Sequence, residues 1–259
     1  MMEAILVVLS NPVPGRDDEF NDWYTNIHLR DALRFRGSIA AQRFSRSDTE
    51  IHTPPSGGPA RYLALYEVFD TERFAREHMD NALTPRMMVT DAIDMTEMND
   101  FHYYLLQRRD KAPLSRECAG LVLEQMQVAE DNKEAFEAWY NDVYLSEAHK
   151  RPGVVRSAFL AYHPHGQLMN LTPAHSHVGI HHLADQDAVN AWRESTALAE
   201  CGFIEQANLT VSAWDVITPR LTEDSVHHTT AAALEAEERA RLRMGDKIIT
   251  DRGNTLRTD

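Results

Sequence analysis

Two stretches of the chain, EFNDWYTNIHLRDALRFRG from Glu19 to Gly37 and AFEAWYNDVYLSEAHKRPG from Ala135 to Gly153, carry Trp-Tyr in the middle and Gly at the end. They keep a constant offset of 116 residues, Glu19 to Ala135 and Gly37 to Gly153. Between Phe20 and Gly37, six of eighteen positions are identical: Phe20/Phe136, Trp23/Trp139, Tyr24/Tyr140, Leu29/Leu145, Ala32/Ala148 and Gly37/Gly153. That is too many for two unrelated amphipathic helices. An internal repeat of this length constrains the fold more than any single motif does.

The surroundings of the two helices repeat as well. Ala4 to Leu9 is a short β-branched apolar run closed by Asn-Pro and Pro-Gly, which predicts a buried strand and a turn. Asp17 and Asp18 open the first helix, where carboxylates complement the positive helix end. Phe20, Trp23, Tyr24, Ile27 and Ala32 form one apolar stripe, and Gly37 ends it. Strands are expected at Ser38–Arg46, in RYLALYEVF after the Pro/Gly-rich loop HTPPSGGP, and at Asp100–Gln107, with a short helix from Asp70. The second pass gives a strand at Leu121–Val128, a helix at Asn132–Lys150, strands at Val154–Tyr162 and Ser176–Leu183, a helix at Asp185–Glu194, and a strand at Leu209–Ile217. The order strand, helix, strand, strand, helix, strand therefore occurs twice. Each unit reads as a ferredoxin-like split βαβ whose free sheet face needs a cover. The tail from Thr218 is separate, with a charged helix at Thr230–Met244 and a frayed end at Asp251–Asp259.

The net charge of -14 leaves no basic stripe for nucleic acid. Two cysteines without paired spacing, Cys118 and Cys201, are expected to be reduced thiols. The start MMEAILVVLSNPVPG has an acid where a leader needs a base, and its apolar run is too short for a bilayer, so a cytoplasmic location is expected.

WYTNIHLRDALRFRGSIAAQRF, with Trp-Tyr-x-x-x-His running to a Gly and then an Arg-Phe strand, resembles the signature of EthD-like proteins in the dimeric α+β barrel superfamily. Residues 4–107 fit that pattern; residues 120–217 fit as a diverged copy without the His or the Arg-Phe. The resemblance implies an α+β fold with two ferredoxin-like βαββαβ units, 1–112 and 118–218, closed on each other as an intrachain dimeric α+β barrel. Residues 219–259 then form a C-terminal helix and tail.

Candidate site residues follow. His28, at the edge of the helix stripe, and Tyr24 beside it are the candidate catalytic residues, His28 as general base, and the family carries a histidine at this helix position in its pocket. The second copy replaces His28 by Tyr144, which suggests that a fused barrel keeps one site and lets the other drift. Aligning RYLALYEVF on SHVGIHHLA places Tyr62, Ala64 and Tyr66 opposite His177, Gly179 and His181. Alternation puts Leu63, Leu65, Val178 and Ile180 on the face under the helices and the polar aromatics on the other. Trp23, Tyr62, Tyr66, Arg43, Tyr144, His177 and His181 are accordingly the candidate substrate-binding residues. His177 and His181 share a strand face at a spacing that could hold a metal, but no carboxylate stands beside them at ligand spacing, and no metal is expected. No organic cofactor is expected either; haem or a His-bound metal is the alternative. The expected function is a cofactor-independent lyase, dehydratase or isomerase acting on an aromatic or lactone-like catabolic intermediate. The alternatives are a cofactor-free monooxygenase and a non-catalytic ligand-binding accessory protein. The expected partners are a small-molecule substrate and a second copy of the chain, with neither nucleic acid nor membrane.

Overall fold

Strand β1 (Ala4–Ser10) is apolar from Ala4 to Leu9 because both of its faces are covered. The computed structural model describes residues 2–52, 60–113, 117–168, 171–193 and 197–244, with the backbone of a short strand at 248–249. The loop 53–59, residues 114–116 and the end at 251–259 lie outside them. Helix α1 (Asp17–Trp23) opens on three carboxylates, Asp17, Asp18 and Glu19, that offset the bare N–H groups of its first turn. It continues through a π-helical turn, Tyr24–His28, into α2 (Leu29–Leu33). Gly37 follows at φ 101°, and any side chain there would strike the Asp70 carbonyl, which makes glycine obligatory. Then come β2 (Ser38–His52), β3 (Tyr62–Val68), α3 (Thr71–Asn81), β4 (Val89–Thr90) and β5 (Asn99–Asp110). The Asp70 carboxylate caps α3 by accepting from the Arg73 N–H.

The second half repeats the succession. It has β6 (Gly120–Met126), α4 (Lys133–Trp139), a second π turn at Tyr140–Tyr144, α5 (Leu145–Lys150), β7 (Val154–Tyr162), β8 (His177–Leu183), α6 (Gln186–Arg193) and β9 (Leu209–Val216). The tail adds β10 (Leu221–Thr222), α7 (Glu223–His227), α8 (Ala231–Met244) and β11 (Ile248–Ile249).

Hydrogen bonding runs β2-β3-β1-β5-β7-β8-β6-β9, and β9 pairs back onto β2. The result is a closed antiparallel barrel of eight strands, with the helices outside. The length of β2 makes closure possible: its first residues pair with β10 and its later ones, from Phe44 on, with β9. An eight-stranded barrel is just wide enough to be filled by side chains. Here Ile5, Val7, Leu65, Leu123, Ile180 and Trp214 fill it, drawn from both halves.

That packing corrects the expected strand faces. Leu63, Leu65, Val178 and Ile180 point into the barrel, whereas Tyr62, Ala64, Tyr66, His177 and His181 lie against the helices. The closed interior is lined chiefly by apolar side chains, and these four aliphatic residues pack there. The helix layer supplies hydroxyls and carboxylates, so it takes the polar aromatics.

Helix α8 lies on the outside of α1 and the first π turn. Arg241 reaches Asp31 at 2.6 Å, Arg34 reaches Glu237 at 2.9 Å, and Ala240 and Met244 are buried beneath. The first half is therefore covered by the tail, and β11 pairs with β4 on the same side.

Candidate functional site

The two π turns give the helices their shared character. The Leu29 N–H bonds to the Tyr24 carbonyl five residues back, and the Leu145 N–H bonds to that of Tyr140. Such widened turns cost helix regularity and recur at functional sites. In the first half the turn brings Tyr24 and His28 down onto the sheet. Beneath them one row of side chains crosses four strands, Arg43–Ala64–Val8–Asp100, and the next row is Ala41–Tyr66–Leu6–His102. Over Leu6, Val8, Tyr66 and Asp100 a cavity of about 260 Å³ remains between sheet and helices.

Trp23, Tyr24, His28, Tyr66, His78 and Asp100 line it, and Met87, Met95 and Met98 of the segment between α3 and β5 close its outer wall. Leu83 in this wall has φ 60°, a left-handed conformation a leucine rarely adopts. The Trp23 indole pins the wall by donating to the Met88 carbonyl at 2.9 Å.

Burial governs the electrostatics. His28 lies against Trp23 with ring centroids 4.6 Å apart and planes tilted by 31°, and sits edge-on to Tyr24 at 4.9 Å. Its pKa falls to about 3, first through burial and then through His78 and Arg43. His28 is therefore a neutral imidazole, not the base with an ordinary pKa expected from its helix position. His78 falls to about 4, also through burial. Asp100 moves the other way: burial raises its carboxyl to about 7, and its Oδ1 has no partner. Tyr24 is pushed up to about 12 by burial, and burial also raises Tyr66, whose hydroxyl donates to that of Tyr24 at 3.4 Å. The group in this cavity that can exchange a proton near neutrality is Asp100.

The other expected residues separate. Tyr62 lies beside the site rather than in it, accepting from Asn21 Nδ2 at 2.8 Å. Arg43 is fully buried behind Tyr24, its guanidinium 4.4 Å from the ring centroid. It donates to Thr25 Oγ1 at 2.6 Å and to Asn21 Oδ1 at 2.9 Å, and burial lowers its pKa to about 10. Tyr144, His177 and His181 belong to the second half. There Tyr140 and Tyr144 each donate to Glu124 at 2.5 Å, and His181 Nε2 lies 3.3 Å from the same carboxylate. His177 meets Glu137 at 3.0 Å instead, so the two histidines do not converge. Among the described residues, no three His, Cys, Asp or Glu side chains gather as a metal site.

Asp100, His78 and Glu124 were not among the expected residues. The signal for Asp100 was its place on the same strand face as His102 and Tyr104. The signal for Glu124 was a charge standing at the repeat position of Val8.

The buried imidazoles make a stability prediction. His28, His78 and His102 have folded pKa values of about 3, 4 and 3, below the unfolded value of 6.5. Their contribution is fully present above pH 6.5 and is lost as pH falls, because the unfolded chain takes up the protons. At pH 5 this amounts to ~2 kcal/mol per histidine. Urea midpoints between pH 7 and 5 should fall steeply, and His102→Phe should flatten that fall.

No protein-family profile and no curated protein matches the chain. Among the described residues, no helix is long and apolar enough to cross a membrane. Solved structures do resemble it. A candidate monooxygenase from Fusobacterium nucleatum subsp. nucleatum superposes with a TM-score of 0.57 at 10% identity, over 85% of this chain and 95% of that one. An anthrone oxidase-like protein gives 0.55 at 12%, over 86% and 93%, and a candidate monooxygenase from Lactobacillus acidophilus gives 0.53 at 9%, over 86% and 97%. These likenesses, together with the closed eight-stranded sheet and its outer helices, show that the chain has the fold of the dimeric α+β barrel proteins.

Proposed function

We propose that the first-half cavity is the active site of a small-molecule enzyme that removes a proton from an apolar, carbon-rich substrate. The observation that carries this reading is Asp100: a buried carboxyl whose Oδ1 has no partner and whose pKa is near 7, lining an apolar cavity together with Tyr24 and Tyr66. Ionised Asp100 takes the proton from an acidic C–H next to a carbonyl. The negative charge passes to the substrate oxygen, where a tyrosine hydroxyl donates to it. His28, neutral and fixed against Trp23, orients the substrate rather than taking the proton. Expulsion of a leaving group from the resulting carbanion makes the enzyme a lyase or dehydratase; return of the proton elsewhere makes it an isomerase.

A second reading, a cofactor-free monooxygenase, is favoured by the similar folds, two candidate monooxygenases and an anthrone oxidase-like protein. In that case the carbanion gives up electrons to O2. An anthrone-type CH2 would become a carbonyl, with the second oxygen atom and two protons leaving as water. Oxygen uptake with anthrone, set against anaerobic turnover, decides between the readings. Uptake matched by quinone formation selects the oxygenase; release or isomerisation of substrates without uptake selects the lyase or isomerase. Tight binding with neither would mean a ligand-binding protein.

The repeated element order and paired π turns further support a tandem duplication of EthD-like type. Fusion would have freed the second half to fill its site with Glu124 while the first kept its cavity.

A further inference from the structure

The second half shows which group the first half is shaped to hold. Val8 and Glu124 occupy the same place in the two halves of the barrel sheet. Val8 stands opposite Ala64 on β3 and Asp100 on β5, and Glu124 stands opposite Gly179 on β8 and Val211 on β9. Above them, Tyr24 corresponds to Tyr140, His28 to Tyr144 and Tyr66 to His181. In the second half these three donors converge on the two carboxylate oxygens, Tyr144 on Oε1, and Tyr140 and His181 on Oε2. Ser157 holds the far nitrogen of His181 at 3.1 Å. Gly179 is part of the fit, since a methyl group there would strike both the Tyr140 hydroxyl and Glu124. Glu124, Tyr140 and His181 are fully buried, so the carboxylate is enclosed as a bound ligand is. In the first half Val8 stops short and the donors face the cavity.

We infer that Glu124 is a built-in ligand, and that Tyr24, His28 and Tyr66 form the matching cradle for an oxyanion, a carboxylate or an enolate, carried by a molecule in the first-half cavity. This assignment rests on that cavity being a ligand site. Both tests are equilibrium measurements, so their failure is distinct from a failure of Asp100 to turn substrate over.

The first test removes the internal ligand. Glu124→Gly deletes a side chain with the shape of propionate. Refolding the variant in sodium propionate should restore most of the lost Tm, whereas sodium chloride and propionamide should not. Restoration no better with propionate than with propionamide would overturn the assignment, because the cradle would then select volume and not charge. The second test uses the first half of the otherwise unchanged chain. By calorimetry, 2-naphthoate should bind more tightly than naphthalene. Tyr24→Phe and Tyr66→Phe should each weaken 2-naphthoate about tenfold, the usual worth of a hydrogen bond to a charged group, and leave naphthalene unaffected. Phe variants that weaken both probes alike, or neither, would also overturn it.

Discussion

Asp100→Asn is expected to lower kcat/KM by about 10²–10⁴-fold, the range for losing a positioned general base, while the protein stays folded. The stability side follows from the direction of the shift. The folded carboxyl at about 7 lies above its ordinary 3.8, so its contribution is fully present below pH 3.8 and is lost as pH rises through 7. Ionising it inside an apolar cavity costs on the order of 4 kcal/mol at the upper end of that window. The amide carries no such cost, so Asp100→Asn should melt no lower than wild type at pH 8. The kcat/KM of the wild type should rise with pH through an inflection near 7, and that inflection should be missing from the residual activity of the variant. A lost activity that tracks a lowered Tm would mean a structural role instead.

Glu124→Ala should have the largest effect on stability, a loss of about 3–5 kcal/mol in urea unfolding at neutral pH. It leaves two buried tyrosine hydroxyls and the His181 imidazole without their acceptor, and opens a void besides. Burial alone would raise the Glu124 carboxyl. His181 and the hydrogen bonds from His181, Tyr140 and Tyr144 outweigh that, and hold it below its ordinary 4.5. Its stabilisation is therefore fully present above pH 4.5 and is lost as pH falls further. Gly179→Ala tests the same cluster from the other side, and overpacking there should cost ~1–3 kcal/mol or more.

The barrel was legible because two kinds of signal agreed. The 116-residue offset gave the repeat, and the β-branched runs between turn residues gave strands whose ends moved by a few residues at most, except β2. That strand continues from Arg46 to His52 because β9 offers it hydrogen bonds that no local pattern announces. The strand faces were read in reverse for a physical reason. Alternation shows that Leu63 and Leu65 share a side, but not whether a helix layer or a barrel interior covers it. Both covers are apolar, and only closure of the sheet decides.

The site was half legible. Tyr24 and Tyr66 meet, and His28 joins them, because the π turn keeps the register of the Trp-Tyr-x-x-x-His motif over β3. Arg43 was found for its position, but it supports Tyr24 from behind. Asp100 escaped notice because its chemistry comes from burial, and burial at a strand end depends on the wall that Met87, Met95 and Met98 build from elsewhere in the chain. Tyr144 and His181 looked like pocket residues because nothing in their own segments shows that Glu124 fills the space between them, and His177 turns to Glu137 instead.

The most direct test of the central claim is deuterium wash-in at the CH2 of anthrone, in D2O under nitrogen, followed by NMR for wild type, Asp100→Asn and His181→Ala. Proton abstraction in the first-half cavity predicts exchange above the buffer rate for wild type and His181→Ala, and exchange at the buffer rate for Asp100→Asn. Exchange that survives Asp100→Asn but disappears with His181→Ala would place the chemistry in the second half and contradict the account.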